Sequence, residues 1–224
     1  MTYTHHVIRN LGKHPTIFKR IKATALFNIG SFRFWRRPPF LTEKDYKDSV
    51  TIIRAGDIVL VGNHHKLVAF YMRGIVTHSL LYVGNGECIH AHGEGVERIA
   101  YRELFDVYDT LIVIRINTSE DCKARAVAWM RNKLGLPFDY DFNTSSREEW
   151  FCTKLVCGAY HHVDTDLLPF SAKRLVFPQD LLSGIGTRVF HSESLRENGG
   201  KLTLNPDFYR SALLRAVIVS ESSR

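Results

Sequence analysis

The 224-residue chain has no apolar run long enough to cross a bilayer. About 20 apolar residues are needed, and the longest charge-free windows, such as residues 74–86, are shorter and contain His or Asn. Residues 23–32 follow a basic stretch, as the apolar part of a secretory signal does, but no small-residue cleavage site comes after them. The sequence therefore predicts a soluble or peripheral cytoplasmic protein without a signal peptide, and it leaves export as an effector open.

Cysteine is scarce as well, and no two cysteines form a Cys-x-x-Cys pair. The four are Cys88, Cys122, Cys152 and Cys157. This spacing argues against a zinc ribbon and against a dithiol redox motif. Histidine pairs at positions 5–6, 64–65 and 161–162 lack the carboxylate–histidine spacing of a metal site. We therefore expect reduced thiols, no metal and no cofactor.

Acidic residues are absent from the first 40 positions, which hold eight Lys and Arg, so this segment carries the whole formal charge excess of +7. We divide the chain into a basic N-terminal arm or helix, residues 1–45, and one folded domain, residues 46–224. Residues 15–29 are predicted to form a basic amphipathic helix. It either packs on the domain or contacts an anionic membrane surface or polymer. No nucleic-acid motif accompanies the charge, so no nucleic-acid partner is expected.

The remaining pattern predicts an α+β domain. Apolar runs indicate strands at residues 57–62, 78–83, 87–92, 110–116 and 212–220. Capping residues and apolar stripes indicate helices at residues 119–134, 150–162 and 178–182. Strands, then helices, then a returning strand are typical of this class.

Gly84-Asn85-Gly86 predicts a hairpin between the second and third strands. A two-residue Asn-Gly turn would place His78 and His90 on opposite faces, because strand side chains alternate. A three-residue loop, with a type I turn followed by a left-handed glycine, pairs Tyr82 with Cys88 instead. That register puts His78, His90 and His92 on one face.

Cys152 lies in the first turn of its predicted helix, where the positive end of the helix dipole lowers a thiol pKa from its ordinary value of about 8.5. His78 opens a strand and is available as a base, with His90 or His92 beside it. Cysteine hydrolases use this arrangement: the imidazole takes the thiol proton, and a third polar group holds the ring. By contrast, Cys157 lies in the apolar stripe and is interpreted as a core residue.

Four segments carry a family resemblance: GDIVLVG, THSLLYVGNGECIHAHGEGV, LGLPFDYDF and WFCTKLVCGAY. They resemble the glycine-aspartate strand, the histidine hairpin and the nucleophile helix of the NlpC-type papain-like cysteine hydrolases. The cysteine here comes 74 residues after His78, whereas in ordinary members it precedes the histidines. The order resembles the circularly permuted members, most of all the YiiX/YebB group, and the similarity spans roughly residues 52–185. It implies an antiparallel sheet packed against a nucleophile-bearing helix.

The resemblance implies Cys152 as nucleophile, His78 as general base and His90 as the orienting third residue, with His92 and Glu94 as alternatives for the last role. Thr153 stands where relatives have Ser, and Ser79-Leu80 replaces the usual small residues. The free backbone N–H of Cys152 is the natural first donor of an oxyanion hole.

The predicted activity is cleavage of an amide or peptide bond, including peptidoglycan peptides and isopeptides, through a Cys152 acyl-enzyme. A lipid-directed acyltransferase or esterase at a membrane surface is the alternative, and an inactive binding module is the third hypothesis. Asp57 is interpreted as a carboxylate that accepts local backbone hydrogen bonds. Tyr140 is interpreted either as a packed aromatic residue or as part of a substrate cleft.

Overall fold

The computed structural model describes residues 6–12, 15–32, 40–64, 72, 74–164, 175–183 and 186–211. Their centre is a six-stranded antiparallel sheet with the strand order β4-β3-β2-β1-β5-β6. The strands are β1 (Ile58–Gly62), β2 (His78–Gly84), β3 (Glu87–His92), β4 (Gly95–Ala100), β5 (Thr110–Arg115) and β6 (Thr187–His191). A separate two-stranded ribbon consists of β7 (Leu195–Asn198) and β8 (Lys201–Leu204).

Five α-helices have both ends within the described part of the chain, and residues 206–211 are also helical. The five are α1 (Ile17–Ser31), α2 (Glu43–Ile52), α3 (Leu104–Val107), α4 (Glu120–Arg131) and α5 (Cys152–Val163). Short 3₁₀ helices lie at Tyr101–Glu103 and Pro178–Leu182. The proposed division of the chain after residue 45 falls inside α2, whose capping box joins Thr42 and Asp45.

Both faces of the sheet are buried, which explains why its central strands are almost wholly apolar. On one face, residues such as Leu60, Leu81 and Ile89 pack against α4 and α5. On the other face, residues such as Leu80 and Cys88 pack against the segment that carries the first 3₁₀ helix and α3. The predicted α+β class, with an antiparallel sheet against the helix that begins at Cys152, is confirmed.

The β2–β3 hairpin has the expected register but not the expected turn. Tyr82 pairs with Cys88, as predicted for a three-residue loop, yet Gly84 pairs with Glu87 across a two-residue turn. Asn85 and Gly86 both have positive φ, which differs from the predicted type I geometry. A β-bulge between Tyr82 and Gly84 inserts the extra residue. The bulge therefore restores the register that aligns His78 with His90.

Several elements were not predicted: α2, α3, β4, β6 and the β7–β8 ribbon. The strand predicted at residues 212–220 lies outside the described residues. Within the described part of the chain, no helix is both long enough and apolar enough to cross a membrane.

Candidate active site

The site begins at the N-terminus of α5, where Cys152 is the first helical residue. The N-cap residue Phe151 makes no side-chain capping hydrogen bond, so the first helical N–H groups are available to other acceptors. Thr153 donates its hydroxyl to the carbonyl of Val176 at 2.6 Å. This hydroxyl therefore anchors the helix start.

Lys154 ties α5 to the preceding loop, residues 138–149. Its Nζ atom donates to the Oδ2 atom of buried Asp139 at 3.2 Å and to the carbonyls of Asn143 and Glu149 at 2.8 and 2.7 Å. Three acceptors on one ammonium group hold the loop against the helix. The position of the thiol is thus set from both sides of the helix start.

Cys152 is 9% exposed and lies beside Ser79, the second residue of β2. Burial raises the pKa of the Cys152 thiol, while the nearby backbone and side chain of Ser79, and the N–H groups of the helix start, oppose that rise. The expected net lowering of the thiol pKa at the helix N-terminus was therefore wrong, because desolvation outweighs the helix-start donors. A neutral thiol needs a base to become a nucleophile.

Two imidazoles lie together at the start of β2. The Nε2 atom of His78 is 2.8 Å from the Nδ1 atom of His90, and both side chains are buried. His92 is also near, with its ring centroid 5.8 Å from that of His78 and its plane stacked on His90. The structure thus brings together the three histidines that the hairpin register predicted on one face.

Glu97 on β4 completes this group and was not predicted. It is the cross-strand partner of His90, and its Oε1 atom lies 3.5 Å from the Nε2 atom of His90 and 3.8 Å from the Nδ1 atom of His92. Interaction with His92, and to a smaller degree with His90, lowers the pKa of the Glu97 carboxyl, and burial opposes this. Glu97 is therefore a carboxylate at neutral pH.

These contacts define the tautomers. Burial, and secondly the charge of His92, lower the pKa of His90 to about 3, so this imidazole is neutral and carries one proton. The carboxylate of Glu97 favours that proton on Nε2, which leaves Nδ1 of His90 to accept a hydrogen bond from Nε2 of His78. In this pairing the Nε2 atom of His78 carries the shared proton.

Tyr108 links the thiol to the histidines. Its ring stacks on His78 at a centroid distance of 6.4 Å. Burial raises the pKa of Tyr108, and the electrostatic influence of Cys152 adds to the rise. Ser79, which follows His78 in the chain, lies beside Cys152, and Tyr108 stacks on His78 within electrostatic range of the thiol.

Other residues considered from the sequence have structural contacts. Glu94 accepts hydrogen bonds from the His6 ring at 2.6 Å and from the backbone of Arg9 and Asn10, so it anchors the N-terminal segment. Tyr140 is buried and donates its hydroxyl to the carbonyl of Gly93, in agreement with the packed interpretation.

Asp57 accepts a hydrogen bond from the backbone of Arg54, as expected. Its carboxylate also forms an unpredicted bidentate pair with Arg115, at 2.9 and 2.6 Å. Cys157 belongs to the core cluster, as predicted, and burial raises its thiol pKa to about 12.

Sequence reasoning missed Glu97 because it did not identify β4. Gly93 and Gly95, on either side of Glu94, were the available signal for a second hairpin. Ser79 was noted only as a departure from related sequences. Tyr108 lies in the segment leading to β5, and no local pattern connects it with Cys152.

The histidine cluster does not have the arrangement of a metal site in the described residues. Among the described residues, no group of three or more His, Cys, Asp or Glu side chains is placed to hold a metal ion. The 2.8 Å contact between the His78 and His90 nitrogens is a direct hydrogen bond. These two atoms therefore bind each other in the described geometry.

Comparisons with known proteins give one family match. The family described as permuted papain-like amidase enzyme, YaeF/YiiX, C92 family, matches residues 52–212, which include every residue of the site above. The chain is also similar to a solved structure titled metalloprotein yiiX from Escherichia coli O157:H7, at 14% identity over 50% of this chain and 67% of that chain. The TM-score of this match is 0.39. No curated protein sequence matches.

Proposed function

Because this chain belongs to the family of permuted papain-like amidases, we propose that it cleaves an amide or peptide bond through an acyl-enzyme on Cys152. The family match confirms the fold and the class of enzyme, a papain-like cysteine amidase or peptidase, that the sequence motifs predicted. The observation that carries the proposal is the position of Cys152, at the start of α5 and beside the strand end where His78 binds His90.

In the proposed reaction, the Sγ atom of Cys152 attacks the carbonyl carbon of the scissile bond while its proton passes to Nδ1 of His78. The C–S bond forms, and the carbonyl oxygen becomes an oxyanion. His78 then gives the proton to the leaving nitrogen as the C–N bond breaks, which produces a thioester. Water attacks the thioester, again losing its proton to His78. The products are a carboxylic acid and the free thiol.

The donors for the oxyanion come from the helix start and from β2. The N–H groups of Cys152 and Thr153 are the first two of α5, and both lie close enough to the sulfur to lower its pKa. The backbone N–H of Ser79 does the same from the strand side. We propose the N–H groups of Cys152 and Ser79 as the two donors, because they approach the sulfur from different elements.

The proposed substrates are peptides and isopeptides, including the peptides of peptidoglycan. A lipid ester is the second candidate, and one observation favours it. Phe27 of α1 packs against His92, with ring centroids 5.6 Å apart. The opposite side of this helix exposes apolar side chains. An apolar surface thus begins next to the histidine cluster.

The test uses the purified full-length protein with a panel of peptide amides, muropeptides and phospholipids, quenched with acid and analysed by mass spectrometry. We expect an acyl adduct on Cys152 and product formation, both abolished in Cys152→Ala and His78→Ala. Cys122→Ala is the matched control, because this thiol lies on α4 and should not matter. If only the phospholipids give an adduct, the substrate is a lipid ester and not an amide. Turnover that survives in Cys152→Ala would overturn the proposal.

A further inference from the structure

The outer face of α1 is apolar and exposed. Ile17, Phe18 and Ile21 are 78%, 74% and 64% exposed, and further along the helix the same holds to a smaller degree for Leu26, Ile29 and Phe32. At 100° per residue, Phe18, Ile21, Ile29 and Phe32 lie within one stripe. Exposed apolar stripes of this kind mark binding surfaces.

The rest of the α1 surface holds the helix on the domain. Ala23 is fully buried, and Lys19 and Lys22 form ion pairs with Glu149 and Asp141 of the loop at residues 138–149. An amphipathic helix normally turns its apolar side to the core and its charges to water. Here two lysines bind the domain beside Ala23 and Phe27, and the exposed apolar stripe points away from it.

The charge of the N-terminal segment indicates which partner fits the exposed apolar face of α1. Residues 1–40 contain eight Lys and Arg and no acid, and two of the eight are used in the ion pairs above. Arg20 lies on α1 itself, and Arg33, Arg36 and Arg37 follow the helix in the chain. A second copy of this chain would bring two such basic segments together, at a cost in repulsion. An anionic bilayer offers acyl chains to the apolar stripe and headgroup charge to the arginines.

We propose that α1 is an interfacial helix that docks this protein on an anionic lipid bilayer, lying in the membrane plane with the stripe at Phe18, Ile21, Ile29 and Phe32 inserted. The proposal is independent of the reaction at Cys152, since it concerns a different surface. Because Phe27 contacts His92 on the side of α1 away from the stripe, the docked helix lies between the membrane and the β3–β4 hairpin.

The experiment is co-sedimentation of the full-length protein with vesicles of phosphatidylcholine alone and of phosphatidylcholine with phosphatidylserine. We expect binding to the anionic vesicles, weakened by salt. The double variant Phe18→Ser, Ile21→Ser should reduce partitioning at least about tenfold, because two apolar side chains no longer leave water. The matched control is Val50→Ser, Ile52→Ser on α2, which changes two other exposed apolar side chains.

Circular dichroism and size-exclusion chromatography accompany each variant to show that it folds. Binding that is lost in the α1 variant and kept in the α2 control supports the proposal. Absence of binding to either vesicle by the wild-type protein overturns it. So does an equal loss in both double variants, or a wild-type dimer that ignores vesicles and dissociates in the α1 variant, since a second copy would then be the partner.

Discussion

The Nε2 atom of His78 lies 2.8 Å from the Nδ1 atom of His90, on the neighbouring strand. One proton must lie between these two nitrogens. The contact between Nε2 of His90 and Glu97 decides which of the two nitrogens carries it. A half-exposed carboxylate at the end of this row therefore influences which nitrogen of His78 carries the proton.

We expect Glu97→Gln to slow alkylation of Cys152 by iodoacetamide at neutral pH by about fivefold. The estimate corresponds to about 1 kcal/mol, the upper end for a partly exposed ion pair. The measurement is the rate of modification of the Cys152 peptide by mass spectrometry. Glu87→Gln, which removes an exposed carboxylate paired with Arg98 on the same pair of strands, is the control. Equal rates for Glu97→Gln and the wild type would show that Glu97 does not position His78.

When the rate of Cys152 alkylation is measured against pH, Ser79→Ala should move this pH–rate profile to higher pH. The hydroxyl of Ser79 is buried, and its presence lowers the pKa of Cys152. Without it, the opposing effect of burial is less compensated, so less thiolate forms at a given pH. Ser49→Ala, a buried serine that bonds to the backbone of α2, is the control and should leave the profile in place. A shift to lower pH in Ser79→Ala would contradict this prediction.

His90 should make the fold sensitive to mild acid. Its pKa is near 6.5 when unfolded and about 3 when folded. The unfolded state therefore binds the extra proton between these values, so stability is lost as the pH falls from 6.5 towards 3, by up to about 1.4 kcal/mol per pH unit. Denaturant unfolding at several pH values should show a smaller slope for His90→Gln than for the wild type. Parallel slopes would mean that His90 titrates normally in the folded protein.

Arg115→Leu should destabilise the domain by about 3 kcal/mol or more, because fully buried Asp57 loses its bidentate partner. Arg98→Leu removes a cation that is exposed and 3.5 Å from Glu87, and it should change the free energy of unfolding by about 1 kcal/mol or less. Chemical denaturation of both variants gives the comparison. Similar losses for the two would show that burial of Asp57 has little influence.

The sequence predicted the part of the site that depends on local rules. Alternation along β2 and β3 placed the three histidines on one face, and the helix-start position of Cys152 followed from a polar loop before an apolar stripe. The turn type was wrong because a bulge, which has no short sequence signature, supplies the same register.

Contacts between distant segments could not be predicted in this way. Arg115 was noted only as the polar exception in an apolar strand, and its partner Asp57 lies 58 residues earlier. Glu97 needs the register of an unpredicted strand to reach His90. The thiol pKa could not be predicted for the same reason. It depends on how much of Cys152 the fold buries and not on the helix start alone.

The loop at residues 138–149 joins α1 and α5 through its ion pairs. Lys154 holds it to the helix of the thiol, and Lys19 and Lys22 hold it to α1. Glu149 and Asp141 therefore tie α1 to the same loop that Lys154 ties to α5. The polar contacts of this loop thus run from α1 to the helix that begins at Cys152.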